Sequence, residues 1–201
     1  MTSSPPAGPS VVASKTPRAS LVDEVGDLDQ AVYAAVALTP TPELDRAMAR
    51  LTTAANYSRV WLAVAALLAV LGGRRGRSAA IRGVLAIGLT SAVANQVVKK
   101  VFRRSRPVRG AHSRRQSVRM PDSSSFPSGH TASAFAFTLA ASGEVPALAI
   151  PLIPLATAVG YSRVHTGVHF PADVLAGAVL GTVVGLVFPL QSIHQRRAKV
   201  I

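Results

Sequence analysis

Apolar and polar positions alternate along this chain in blocks with different periods. Residues 1 to 20, MTSSPPAGPSVVASKTPRAS, have no period and are rich in Ser, Pro and Ala. They lack an uninterrupted apolar run of signal-peptide length, so a disordered tail is expected over 1–22. A helical period then runs from Asp27 to Leu38 and again from Pro42 to Ala55, where Leu44, Met48, Leu51 and Ala55 stand opposite Glu43, Asp45, Arg46 and Arg50. Thr41 as N-cap and Pro42 in the first turn start the second of these helices. The pattern predicts amphipathic helices over 23–57, whose apolar faces either lie on a membrane or pack on the rest of the protein.

Beyond Arg59 come five apolar segments, near Val60–Gly73, Gly83–Val98, Thr131–Ser142, Val145–Gly160 and Val174–Pro189. Each is shorter than the roughly 20 residues that cross a bilayer core, a length that buried helices of a soluble bundle also have. Three features favour the membrane. The segments carry almost no charge, whereas a soluble helix needs a charged outer face. Gly177, Gly181 and Gly185 form a small-residue stripe that lets helices approach closely in lipid. Flanking polar residues can snorkel and lengthen each span. The expected architecture is all-α: an integral membrane helical bundle with about five transmembrane helices, a core over 58–195 and a basic C-terminal tail over 196–201.

Composition agrees with this picture. The chain is 49% hydrophobic and 15% charged, with 5% aromatics, and its apolar content is mostly Ala, Val and Leu broken by Gly, as closely packed helices require. The absence of cysteine excludes disulfides, thiolate metal sites and cysteine nucleophiles. The net charge of +13 points to an anionic partner: nucleic acid, an anionic membrane surface or an anionic substrate. Much of it lies in one loop, where Lys99, Lys100, Arg103, Arg104, Arg106, Arg109, Arg114, Arg115 and Arg119 occur with no acid before Asp122. A solvated loop is the ordinary explanation of such a run. Nucleic acid is disfavoured, because no recognisable module and almost no aromatic interleaving accompany it.

Three short patterns carry chemistry. Lys99 is followed after six residues by Arg106 and Pro107; Pro127-Ser128-Gly129-His130 opens an apolar segment; and Ser162-Arg163 is followed after five residues by His169 and after three more by Asp173. Together, in this order and at segment boundaries, they resemble the signature of the type 2 phosphatidic acid phosphatase superfamily, which also includes vanadium haloperoxidases and bacterial nonspecific acid phosphatases. The resemblance covers residues 99–173, departs from the signature nowhere, and with the flanking apolar helices implies the membrane branch.

The residues support the same chemistry on their own. Phosphoryl transfer needs groups on the equatorial oxygens, an in-line nucleophile and an acid for the leaving oxygen. Lys99, Arg106 and Arg163 supply cations, the arginines as two-pronged forks. Ser128 and the Gly129 amide sit at a helix start, where free N–H groups and the macrodipole favour an anion. Pro107 is expected to stop the preceding helix. Pro171 can open a helix that places the Asp173 carboxylate about one turn from His169, fixing the imidazole tautomer as in a catalytic triad. His169 is therefore the expected nucleophile, forming a phosphohistidine, a role the family motif also implies, and His130 the general acid and later base. His112 and His194 are assigned to solvent, His165 to a supporting role, and Asn95 and Gln96 to interhelical hydrogen bonds. There is no HExxH pair and no carboxylate cluster with metal spacing, so neither a metal nor a cofactor is expected.

Counting crossings puts all three patterns on one face of the membrane, with Arg74, Arg75, Arg77, Arg196, Arg197 and Lys199 on the other. If the basic ends mark the cytoplasm, the site faces outward. That orientation, in a bacterial-type plasma membrane, is also usual among the bacterial membrane relatives the resemblance implies. The expected partners are membrane lipids and a lipid phosphate. The resemblance offers phosphatidic acid, phosphatidylglycerol phosphate, prenyl phosphates or diphosphates, and prenyl-linked phosphosugars. Two other readings stand beside it: a soluble acid phosphatase or haloperoxidase-like member, and a non-catalytic binder of anionic lipid or nucleic acid.

Overall fold

A computed structural model describes residues 21–39, 41–108 and 118–198. Of the expected tail over 1–22, residues 1–20 lie outside the described residues and Leu21 and Val22 open the first helix; Arg109, His112, Arg114, Arg115 and Lys199 also lie outside them, as do the side chains of His194, Arg196 and Arg197. The long regular elements of the described residues are all helices: α1 (Leu21–Leu38), α2 (Pro42–Ala54), α3 (Arg59–Leu71), α4 (Gly73–Val101), α5 (Gly129–Ser142), α6 (Ala149–His165) and α7 (Pro171–Ala198). Every apolar segment of the sequence is a helix. α4, α6 with its short lead-in (Pro146–His165) and the first part of α7 (Pro171–Phe188) are each long and apolar enough to cross a membrane, and α2 with α3 forms a further span if their 62° bend is taken as one broken crossing. α5 has 14 residues and so rises about 21 Å, less than the bilayer core of about 30 Å. Against the expectation of about five transmembrane helices, three of the described helices pass by length and composition, or four with the bent pair, and α5 is the axis around which the longer helices pack.

Alanine makes that axis possible. Ala132, Ala134, Ala136, Ala140 and Ala141 of α5 are completely buried, and their small side chains let α4, α6 and α7 approach from three sides. Phe137 fills the remaining space against Trp61 of α3, with ring centroids 5.6 Å apart, and against Gly83 of α4, where a Cβ would strike the ring. α7 has two faces. Gly177, Gly181 and Gly185 lie directly on the α5 backbone, while Leu175, Val179 and Val183 point outward, exposed and apolar. An outward face of this kind has no counterpart in water and suits hydrocarbon.

Local signals in the sequence match several boundaries. α2 begins at Pro42 after Thr41, whose hydroxyl donates to Asp45 Oδ1 at 3.3 Å and caps no backbone amide; α5 begins directly after Ser128, and α7 begins at Pro171. Others differ. The arginines Arg74, Arg75 and Arg77 belong to the first turns of α4 and not to a loop, because α4 starts ten residues before the apolar run does. α4 ends at Val101, where Phe102 turns extended, so Pro107 does not stop it; Pro107 is instead buried in the extended segment that follows. Asn95 and Gln96 lie exposed on a π-helical stretch, Val93–Val98, and not at a helix interface. The amphipathic helices pack on the bundle, α1 on α6 and α7 and α2 on α6, while Val25, Leu28 and Val32 of α1 stay exposed on its outer side.

At Gly181 a Cβ would fall on the Ala132 carbonyl oxygen, which is backbone and cannot yield. Gly181→Val is expected to destabilise the fold by about 1–3 kcal/mol or more, whereas Gly88→Ala in α4, where nothing lies within 4 Å, is expected to be neutral or mildly stabilising. Thermal unfolding of the detergent-solubilised variants measures both.

Candidate active site

The three sequence patterns converge at one end of the bundle, the end that also receives α1 and α2. Gly167, with φ +67°, reverses the chain after α6, and the Val168 and His169 amides then donate to the Arg163 carbonyl at 3.0 and 3.1 Å. This hairpin places His169 directly before α7. Asp173 sits in the first turn of α7, and its Oδ2 accepts the Phe170 amide at 2.9 Å, the acidic half of a capping box. The same oxygen lies 3.5 Å from His169 Nδ1 and accepts the Ser125 hydroxyl, which is itself 3.4 Å from Nδ1.

The other ring nitrogen faces a cation. Arg106 Nη1 lies 3.2 Å from His169 Nε2. A guanidinium only donates, so Nε2 presents its lone pair and the ring proton sits on Nδ1, toward the carboxylate. Arg106 is aimed by carbonyls: Nε donates to Ser123 at 2.9 Å, Nη1 to Val168 at 3.0 Å and Nη2 to Ser124 at 3.2 Å. Lys99 Nζ lies 3.4 Å from Ser123 Oγ on the same side. Arg163, 1% exposed at the end of α6, donates through Nη1 to Thr52 of α2. His169 is 2% exposed, and burial pushes it down to about 4; the hydrogen bond to Asp173 opposes this and the charges of Arg163 and Arg106 add to it. The imidazole is thus neutral at physiological pH.

The second pattern forms the facing wall. The Ser128 amide donates to the Asp173 carbonyl at 2.9 Å, tying the start of α5 to the start of α7, and its hydroxyl pairs with Thr131 Oγ1 at 2.9 Å. Gly129 and His130 follow in the first turn, where backbone amides have no intrahelical acceptor. His130 Nε2 lies 3.0 Å from Asn56 Oδ1, in the short turn between α2 and α3. An open cleft of about 570 Å³, lined by Lys99, Arg103, Arg104, Ser105, Arg106 and Ser123 among others, leads from solvent to this region.

All eight residues singled out from the sequence therefore lie at this one end: Lys99, Arg106, Ser128, Gly129, His130, Arg163, His169 and Asp173. Several others were not legible. Ser125 completes the surroundings of the His169–Asp173 pair, and Asn56 and Thr52 reach His130 and Arg163 from α2 and the turn after it. His165 is buried, 2.7 Å from Asp45 Oδ1 and 3.2 Å from the Tyr161 hydroxyl, so its support consists of fastening α2 to α6. Arg104 pairs with Asp29 at 2.5 Å and with Asp173 at 2.8 Å. Nothing in the sequence marked these partners, since polar residues of amphipathic helices and one arginine among many have no distinguishing pattern.

Among the described residues no group of three or more His, Cys, Asp and Glu side chains is arranged to hold a metal ion. A neutral histidine backed by a carboxylate and faced by arginine, beside a basic cleft in an apolar helical bundle, is an arrangement suited to phosphoryl chemistry. The chain belongs to the PAP2 superfamily, whose family model matches residues 79–197. It is 34% identical over 139 residues to the decaprenylphosphoryl-5-phosphoribose phosphatase of Mycobacterium tuberculosis, covering 69% of this chain and 75% of that protein. It is 31% identical over 101 residues to the undecaprenyl-diphosphatase BcrC of Bacillus subtilis, covering 50% and 52%. Among solved structures, Aquifex aeolicus LpxE superposes with a TM-score of 0.62 and 28% identity, covering 82% of this chain and 95% of that one. The transmembrane PAP2-type phosphatidylglycerolphosphate phosphatase of Bacillus subtilis shares the fold with a TM-score of 0.67 at 24% identity, covering 87% and 88%.

His169 is expected to stay neutral, with its proton on Nδ1, until the pH falls to about 4. Nitrogen NMR of histidine-labelled protein in detergent reads both the tautomer and the titration; a ring charged at pH 6 would contradict the arrangement.

Proposed function

We propose that this protein is a multi-pass membrane phosphatase that releases phosphate from a prenyl-tethered phosphate monoester or diphosphate through a phosphohistidine on His169. The observation that carries the reading is the paired engagement of His169: Nδ1 toward Asp173 and Nε2 toward Arg106, the group expected to hold the phosphate. The names of the relatives support a prenyl-linked substrate over the glycerophospholipids, which stay in the test as competitors. A cleft at one end of an apolar bundle lets the head group reach the site while the tail remains in lipid.

The reaction follows from the placement of the groups. Lys99, Arg106 and Arg163 hold the equatorial oxygens together with Ser128 and the Gly129 amide, and neutralise charge as the transition state loosens. The Nε2 lone pair attacks phosphorus while the bond to the leaving oxygen breaks; His130, which burial and the charge of Arg163 push down to about 3, takes up the proton that the substrate phosphate brings in and passes it to that oxygen. Positive charge developing on the His169 ring is stabilised by Asp173. Water then attacks the phosphohistidine, His130 takes its proton, the P–N bond breaks, and inorganic phosphate leaves a neutral His169. Pro107 is structural. Neither metal nor cofactor takes part, and nucleic acid is no partner.

The organisation proposed is a tail that ends where α1 begins at Leu21, helices that frame the site up to residue 57, the membrane core over 58–195 and the end of α7 with the residues beyond it over 196–201. The site faces outward from a bacterial-type plasma membrane: the opposite end of α4 carries Arg74, Arg75 and Arg77, with Arg82 paired to Glu144 at 3.1 Å, in keeping with a cytoplasmic side.

Phosphate release by detergent-purified protein in EDTA, from prenyl phosphates, prenyl diphosphates and glycerophospholipids, tests the reading. Wild-type protein is expected to release phosphate from a prenyl substrate, His169→Ala to fall to background, and His130→Ala to lose about 10²–10⁴-fold in kcat. Undiminished release by His169→Ala, or release that requires added metal, would refute the mechanism. The logarithm of kcat/KM is expected to decline as pH falls through about 4, where protonation removes the attacking lone pair.

A further inference from the structure

Asp29 is out of character for its helix. Among the described side chains of α1 it alone is buried, and it is a carboxylate. A buried charge persists only where it is paired and hydrogen-bonded, and both of its oxygens are. Oδ1 accepts the Ala172 amide at 2.7 Å, in the first turn of α7, and Oδ2 takes Arg104 Nη2 at 2.5 Å. Arg104 then reaches past it, its Nη1 donating to Asp173 Oδ1 at 2.8 Å. The guanidinium also lies over the Phe170 ring, 4.4 Å from its centroid, and Tyr33 of α1 meets the same ring edge-on at 5.4 Å. Phe170 is the residue directly after His169.

We propose that Asp29 and Arg104 are positioning residues for the reaction, Arg104 locking the Asp173 carboxylate behind His169 and Asp29 holding Arg104 in place; this rests on His169 being the nucleophile. Asp173 Oδ2 serves His169, Ser125 and the Phe170 amide, so its orientation depends on what anchors the other oxygen, and that anchor is Arg104. The charges alternate. Arg104 by itself would neutralise Asp173 and weaken its support of the His169 ring, and Asp29 restores the balance to one net negative charge across the three groups. Burial opposes the charge on Arg104, but its hydrogen bonds and charge contacts with Asp29 and Asp173 outweigh this and raise it above the usual arginine value, so the cation is permanent. The positioning pair joins α1, which precedes the matched segment 79–197, to the centre of the site.

A role limited to docking α1 would lower stability and leave the chemistry alone. Asp29→Asn keeps the shape and the Oδ1 acceptor for Ala172, and replaces the Oδ2 that holds Arg104 by an uncharged amide donor. Its kcat for the prenyl substrate is expected to drop about 10–100-fold with KM within about twofold, the size usual for orienting partners of a reactive group. The acid limb of kcat/KM is expected to move to lower pH, because Arg104 then cancels Asp173. Arg104→Gln is expected to move that limb the opposite way, since two carboxylates act on His169 with no cation between them, and Arg104→Lys to return it toward the wild-type position. The other groups facing His169 are unchanged in every variant: Lys99 on α4, Arg106 on the extended segment, His130 on α5, Arg163 on α6 and Asp173 on α7. Asp27→Asn, exposed on the same helix, serves as the control that changes neither quantity. Using one substrate throughout removes its own titration from the comparison, and thermal unfolding of each variant reports on the fold. Opposite displacements of the limb with a reduced kcat establish the positioning role. Unchanged kcat and limb in Asp29→Asn, or displacements of the same sign, overturn it while His169→Ala remains inactive; an active His169→Ala overturns instead the function on which it rests.

Discussion

The distance between α5 and α7 is the constraint on which the rest depends. Each helix begins at a group placed at the centre of the site, His130 in the first turn of α5 and His169 directly before α7. The two helices lie so close that Gly177, Gly181 and Gly185 rest on the backbone of Ser128, Ala132 and Ala136. In a lipid environment no hydrophobic force drives helices together, so such contacts depend on small side chains and dispersion. The hydrogen bond from the Ser128 amide to the Asp173 carbonyl completes the junction at the end where phosphate would bind. Larger residues on the stripe would move the two histidines apart, although none of the three glycines is near enough to take part in chemistry.

The electrostatics follow from that close packing. Lys99, Arg106 and Arg163 gather at the end of an apolar bundle, where mutual repulsion and poor solvation work against them until an anion enters. Backbone carbonyls and hydroxyls aim them meanwhile: Ser123, Ser124 and Val168 for Arg106, and Thr52 for Arg163. The same burial keeps His169 neutral, as the proposed nucleophile must be. Arg104 differs from these cations in being held between two carboxylates, Asp29 and the histidine's partner Asp173.

The bundle divides its surface by environment. The outward faces of α4 and α7 are apolar, as with Leu85, Leu89, Leu175, Val179 and Val183, and polar groups collect at the two ends. One end holds the cleft and receives α1 and α2; the other carries the arginines of early α4. A site placed at such an end meets water and lipid together, which a substrate with a charged head and a long apolar tail requires.

By itself the sequence determined the helices, the apolar character of the bundle, the inward stripe of glycines and the eight residues of the three patterns. Those properties are local: periodicity, helix-starting residues such as Pro42 and Pro171, and fixed spacings that put Asp173 one turn from His169 leave their mark within a dozen residues. The tertiary structure decided which groups stand behind them. Asp29 and Arg104 are separated by 75 positions, Asn56 and His130 by 74, and Thr52 and Arg163 by 111, and no period or motif links residues so far apart. It also decided that α1 and α2 pack on the bundle and that α5 is a short central axis. Both outcomes follow from which helix faces meet across the whole chain, and that is settled only when the helices pack.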